Sequence, residues 1–517
     1  MATLGVRIRP LALCALLLPA AAVAQTTATV QRAIRTITPA DVVQRIGVIA
    51  DDSMLGRATP SPQLEQVARY IAGEFKRFGL KPLGDSGTFI QHYPIARQQI
   101  DLTKSVMTIA TGASATTFRI GTDVSLMNGR LPPTDPTGHV VLLLGVRDTL
   151  NPLAGADVKG AWVALVLTAF EQGVLVDRRP IDAALQAGAV GVLLITNRPD
   201  AQWQTRLGRL HREAQYLGGM PFSLTDEGPW LEIRDATAAS VLGIDPAALR
   251  ADQTPSVRRL DAVTITAHLE PVALAPLRAP NVIGMLEGSD PTLKSEYVLL
   301  TGHMDHIGTP GSGEGCVAKG ADSICNGADD DASGSIGVVE LAQAFTQLTP
   351  RPKRSLVFMT VSGEERGLWG STWYVEHPAV PLAQTVADLN TDMIGRNWAD
   401  SIVVIGKEHS DLGATLNRVS AEHSELHMKP TDDIWPEENF FVRSDQINFA
   451  KKGIPILFFT NGVHPDYHQV SDEVSKIDGE KESRIIKLDF YMALAVANAT
   501  ARPKWNPASY EKIVQKK

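Results

Sequence analysis

Five residues of metal-ligand type punctuate the second half of this chain: His303 in TGHMDH, Asp329 in NGADDDASG, Glu365 in VSGEERG, Asp392 in LNTDMIG and His468 in PDYHQVSDE. Two imidazoles and three carboxylates are what a pair of zinc ions needs when one acid is shared between them. Three carboxylates and one hydroxide would cancel the charge of two Zn²⁺, leaving neutral imidazoles to complete the shells. Glu364, next to a candidate ligand, is placed to act as a base, and Asp305 is placed to orient His303. Such a set points to a hydrolase.

The acidic run Asp329-Asp330-Asp331 has a second reading. Asp329, Asp331, Ser333, Gly334 and Glu340 match the spacing of a calcium-binding EF-hand loop. The Gly-rich KGADSICNGA before it lacks the helix such a loop requires, so the shared carboxylate is preferred, with Asp329 in that role. His306, His464 and Asp466 compete with the chosen residues for ligation.

Strands and helices must bring these residues together. YVLLTG, SLVFMTVSG, SIVVIG and IPILFFT read as buried strands, with helical stretches such as SIGVVELAQAFTQL and IIKLDFYMALAVANA between them. That alternation predicts an α/β fold, a mixed and largely parallel central sheet with helices on both faces, whose ligands gather at the carboxyl ends of the strands. His303 closes one such strand and Glu364-Glu365 follow another. Upstream, SPQLEQVARYIAGEFKRFGL predicts a helix with Ser61 as cap, Pro62 at its first turn and Gly79 at its exit, and QHYPIARQQI an edge strand. HVVLLLGV, WVALVLT and VGVLLIT set residues 116–272 apart as a smaller, β-rich module between a first part at 36–115 and the main part at 280–505.

With 517 residues, two or more domains are expected. A net charge of −8 without a Lys/Arg cluster gives no support for nucleic-acid partners. Residues 1–24 read as an export signal, with Arg7 and Arg9, an apolar stretch and a small-residue cleavage site at Ala22-Val23-Ala24. The mature chain is then periplasmic or extracellular, with no membrane attachment. Cys316 and Cys325, the two cysteines left after cleavage, would form a short disulfide in that setting.

In their order, GHMDH, NGADDDASG, SGEERG, NTDMIG and HPDYHQVSD resemble the M28 family of dizinc aminopeptidases. The resemblance covers roughly 280–500, and 36–115 is similar to the family's N-terminal portion. It implies a zinc exopeptidase fold, two Zn²⁺ per chain and peptide substrates cleaved from their N-termini. Residue by residue, it makes Asp329 the bridging ligand, His303 and Asp392 one zinc site, Glu365 and His468 the other, Glu364 the general base and Asp305 the partner of His303. The 116–272 stretch resembles a protease-associated (PA) domain. Where many relatives have RSDH, this chain has Arg443-Ser444-Asp445-Gln446. A glutamate-releasing carboxypeptidase, a glutaminyl cyclase and a binding protein without activity are the alternatives on the same scaffold.

Overall fold

The computed structural model describes residues 27–127, 130–144, 153, 155–167, 178–223, 228–252, 254–312 and 314–515. The stretch read as an export signal lies outside them. The chain divides into two units, one made of residues up to Gln91 together with Pro280 onward, the other of His92–Ala279.

The first unit includes, near its start, helices α1 (Pro39–Ile49) and α2 (Pro62–Phe78). In α2 the Ser61 hydroxyl accepts from the Leu64 N–H at 3.0 Å, Pro62 sits in the first turn, and Gly79 leaves in the left-handed conformation. Leu64, Val67, Ala68, Ile71 and Phe75 form its buried stripe, the helical spacing that the sequence carries.

Further elements include β1 (Pro271–Leu286), which enters this unit at Pro280, β2 (Tyr297–His303), α3 (Gly334–Thr346), β3 (Ser355–Val361), α4 (Trp369–Glu376), β4 (Thr385–Thr391), β5 (Ser401–Ile405), α5 (Leu412–Glu422), β6 (Lys429–Thr431), α6 (Gln446–Lys451), β7 (Ile456–Thr460) and α7 (Gly479–Asn498). The strands follow the order β6-β5-β7-β4-β2-β3-β1. β3, β2, β4 and β7 are mutually parallel, whereas β1 on β3 and β5 on β7 are antiparallel. The sheet is therefore mixed with a parallel centre.

Residues alternate between its two faces. Leu299, Val357 and Met359 join Tyr374, Ile447 and Phe449 of α4 and α6 in one core. Phe358, one position off, has its ring near Phe75 of α2 and Phe345 of α3, at 6.4 and 6.2 Å. Both faces are covered, which is why the central strands read as continuous apolar runs.

The second unit begins earlier than the 116 boundary expected and runs to Ala279. The reason is strand pairing: Val106–Thr111 and Ser114–Arg119, partly upstream of that boundary, belong to its eight-stranded sheet. Thr137–Leu144, Trp162–Val166, Gly191–Thr196 and Trp230–Arg234 make its parallel centre. QHYPIARQQI lies within the strand Ile90–Ile100 and pairs with Ala214–Leu217.

Candidate metal centre and cleft

The parallel strands β2, β3 and β4 end side by side, with His303 opposite Val361 in register. His303 closes β2, Glu364 and Glu365 follow β3, and Asp392 follows β4. This is the strand-end position where such sheets collect ligands.

The turn after β2 fixes the imidazole of His303. Its Nδ1 lies 3.5 Å from Asp305 Oδ1, while Nε2 looks the other way, 3.3 Å from Asp330 Oδ1 and 3.7 Å from Asp392 Oδ1. Asp305 is itself held: its Oδ2 accepts from the Thr59 hydroxyl at 2.8 Å and its Oδ1 from the Glu364 N–H at 3.4 Å.

The second oxygen of Asp330 faces a different set. His468 Nε2 lies 3.1 Å from Asp330 Oδ2 and 3.3 Å from Glu365 Oε2. Glu365 Oε1 is 2.8 Å from His306 Nδ1, and Tyr467 stacks on the His468 ring at 3.9 Å. Two donor groups thus meet at one carboxylate: His303, with Asp392 beside its Nε2, faces Oδ1, and His468, with Glu365 beside its Nε2, faces Oδ2.

That carboxylate is Asp330, and the expectation for Asp329 is corrected by one position. Asp329 turns away from the ring nitrogens of His303 and His468: its Oδ1 accepts from the Gly395 N–H at 2.6 Å, and its Oδ2 lies 3.1 Å from His464 Nε2. The peptide bond between Asp330 and Asp331 is cis.

Asp331 comes within 4.8 Å of His303 and Asp392 in ligand-type atoms, yet its oxygens are occupied. They accept from the N–H groups of His303 at 3.0 Å, Gly334 at 2.8 Å and Met393 at 3.1 Å. Asp331 therefore ties the three loops together. Gly334 must be glycine for this, since a Cβ there would sit 2.2 Å from Thr391 O and 2.4 Å from Asp331 Oδ1.

Sequence reasoning missed Arg57. Its side chain is fully buried and donates to main-chain oxygens only: Met304 at 2.8 Å, Gly327 at 2.6 Å, Asp330 at 3.2 Å, and Asn326. No motif marks it. Asp472 was missed too; its carboxylate accepts from the N–H groups of Asp329 and Asp330 at 3.1 Å. Of the competitors, His464 pairs with Asp329, Asp466 with Arg396 and Lys476, and His306 with Glu365.

The electrostatics call for a cation. Burial, with Glu365, Asp445 and Asp392 close by, holds Glu364 well above the usual carboxylate range. Burial opposes charge on His468, but its contacts with Asp330 and Glu365 push it up to about 10. Acids raised in one place and imidazoles raised beside them mark a strongly negative buried field. Nitrogen and oxygen donors in two adjacent groups suit divalent zinc.

A small cleft opens on these groups. Glu364, His303, Asp330 and Asp392 meet walls that include Met393, Phe440, Phe458, Gly462, Val463 and Arg443. Gln446, where relatives were expected to carry His, is buried behind the wall. Its Nε2 donates to Phe440 O and Phe441 O at 3.2 and 3.1 Å, and its Oε1 accepts from Asn390 at 3.1 Å.

An α/β sheet with a carboxylate- and imidazole-lined cleft at its parallel strand ends is an arrangement suited to a metal centre. Residues 281–493 match the model of Peptidase family M28. A probable zinc metalloprotease of Pyrenophora tritici-repentis is 24% identical over 271 residues, 44% of this chain and 54% of the relative. Leupeptin-inactivating enzyme 1 of Streptomyces exfoliatus is 33% identical over 223 residues, 43% of this chain and 44% of the relative. The chain spans about half the length of these curated relatives. In fold it resembles an aminopeptidase from Aneurinibacillus sp. strain AM-1, with a TM-score of 0.51 at 18% identity over 92% of this chain and 98% of that one.

Proposed function

We propose that the chain is an exported dizinc exopeptidase that removes N-terminal residues from peptides. The observation that carries this reading is the division of Asp330, one oxygen toward His303 and Asp392 and the other toward Glu365 and His468. Zinc held by these donors supplies Lewis-acid polarisation of a carbonyl and lowers the pKa of water at neutral pH.

The chain's own residues do the rest. Asp305 fixes the tautomer of His303 with the proton on Nδ1, leaving Nε2 as the donor. Glu364, at the cleft wall, takes a proton from the attacking water and returns it to the nitrogen of the leaving amine. Asp331, Asp472 and Arg57 hold the ligand loops through main-chain groups, so the geometry exists before substrate arrives. Met393, Phe440, Phe458 and Val463 give the cleft an apolar wall for the side chain of the first residue.

Arg443 favours the aminopeptidase over the carboxypeptidase alternative. It is the basic side chain in the cleft lining, and its guanidinium is already paired with Glu438 at 3.0 Å. A substrate carboxylate would have to displace that partner. Two further parts of the reading have their own support. The Cys316–Cys325 bridge suits an oxidising compartment, in line with an export signal at residues 1–24. The His92–Ala279 unit, which contains an eight-stranded sheet, is read as the PA-like module.

Peptides blocked at one end or the other test the function. C-terminally amidated peptides should lose residues one by one from the free N-terminus, N-acetylated ones should resist, and a chelator should stop release until zinc is restored. Release from the C-terminus of acetylated peptides would overturn the reading.

A further inference from the structure

We propose that Trp398 and Trp435 form a subsite for a large apolar or aromatic side chain carried by the peptide beyond its first residue. The proposal rests on the exopeptidase reading and adds a substrate class to it: peptides with a bulky apolar residue at the second or third position.

Large apolar side chains are left in water along the stretch that walls the cleft. Trp398 is 43% exposed, Ile434 50%, Val442 43% and Val463 47%. Exposed apolar surface beside a cleft marks an interaction site more often than an accident of packing. Here it is physically continuous with the candidate metal centre. Trp398 stacks on Trp435 at 5.8 Å between ring centroids and 26° between planes. Trp435 in turn meets Phe440 edge-on at 5.6 Å. It also packs against Gly462, where a Cβ would come within 2.4 Å of the indole. Phe440, Gly462 and Val463 line the same cleft as Glu364 and Asp392.

The file of rings is anchored to the site. Trp398 lies a few residues beyond Asp392, and its neighbour Asn397 donates from Nδ2 to Asn461 O at 2.7 Å. The Asn461 N–H donates to Met393 O at 2.9 Å. Trp435 is held from its own side, its N–H donating to Asp433 Oδ1 at 2.8 Å. An aromatic surface fixed in this way binds without first being ordered, which favours affinity.

Reach decides which part of a peptide it serves. The apolar cleft wall ending at Phe440 takes the first side chain. Two ring-to-ring steps then separate Phe440 from Trp398, a span that about two to three extended residues cover at roughly 3.3–3.6 Å each. A side chain downstream of the scissile bond therefore reaches the indoles as the peptide leaves the cleft. Aromatic contacts of this sort are worth about 0.5–1.5 kcal/mol, or roughly two- to ten-fold in affinity.

The test uses the full-length, zinc-loaded protein and two readouts. Calorimetry follows binding of tripeptides whose first peptide bond is N-methylated against cleavage, with Leu first and either Phe or Gly in the second and third positions. Steady-state cleavage follows the ordinary peptides. The wild type should bind and cleave the Phe-bearing peptides several-fold better than the Gly-bearing ones. In Trp398→Ala that preference should collapse, and in Trp398→Phe it should largely persist. Equal binding of both series by the wild type, or an undiminished preference in Trp398→Ala, overturns the proposal. Phe-dependent binding with no turnover of any peptide would leave the subsite standing and sink the exopeptidase reading. Turnover without dependence on Trp398 would do the reverse.

Discussion

The Arg57 guanidinium donates to the main-chain oxygen of Asp330 at 3.2 Å, so a fully buried cation grips the backbone of the residue whose carboxylate faces both ligand groups. The same guanidinium holds Met304 O on the His303 loop. Burial works against its charge, and Asp330, Asp305, Asp331 and Asp472 work for it. Replacing it by Met should leave several main-chain oxygens without donors and lower stability by about 2–5 kcal/mol. Denaturant melts of Arg57→Met and Arg57→Lys check this. A Lys variant as stable as the wild type would show that the planar fork is dispensable.

Asp330 and Asp329 are adjacent in sequence and opposite in role, which gives a paired experiment. Asp330→Asn should cost most of the bound zinc, because both donor groups lose the carboxylate they share. Asp329→Asn keeps an oxygen for the Gly395 N–H and should retain metal, with at most a 10–100-fold loss of affinity of the kind outer partners produce. Elemental analysis after dialysis separates the two. Retention in Asp330→Asn with loss in Asp329→Asn would restore the original assignment.

Glu364→Gln should keep the metal content and lose about 10²–10⁴-fold in turnover, the range typical of a missing general base. Metal analysis and kcat on the same preparation are the measurements. Near-normal kcat would remove Glu364 from the mechanism.

Asp388, on β4, gives a pH signature away from the ligands. Burial raises its carboxyl to about 8, although the Thr301 hydroxyl bonds to it at 2.8 Å. The folded chain then keeps a proton that the unfolded chain releases above its ordinary carboxylate pKa. This group's stabilising contribution is therefore complete at low pH, declines between about pH 4 and 8, and is flat above. Asp388→Asn should flatten the slope of stability over that window and raise stability at its alkaline end. Melting curves at stepped pH read it directly, and an unchanged slope would refute it.

The loop between Cys316 and Cys325 is closed by a disulfide, and the two sulfurs pack with Ile307 and Val470. Replacing both cysteines by Ser should lower stability by about 2–3 kcal/mol. Equal melts of the variant and the oxidised wild type would show that the bridge adds nothing.

Much of this architecture could be read from residue order, for physical reasons. Apolar strands capped by ligands, and a helix announced by Ser61, Pro62 and Gly79, follow from local chemistry that neighbours in sequence share. Asp329, Asp330 and Asp331 are chemically identical, by contrast, and differ only in where the backbone aims each carboxylate. That direction is set by distant groups such as Gly395, His464 and Asp472, so no local pattern tells them apart. Arg57 and the aromatic file from Phe440 to Trp398 were illegible for the same reason, since each acts through partners far along the chain. The start of the second unit was misplaced because its first strands are short and half-polar, and only pairing with Ser256–His268 assigns them.

Arg57 lies outside residues 281–493, the segment that matches the family. A protein trimmed to that segment would keep every ligand named above and lose the clasp that shapes their loops. Engineered minimal versions, or natural isoforms starting downstream of Arg57, should accordingly carry the whole recognisable signature and still fail to assemble a working centre.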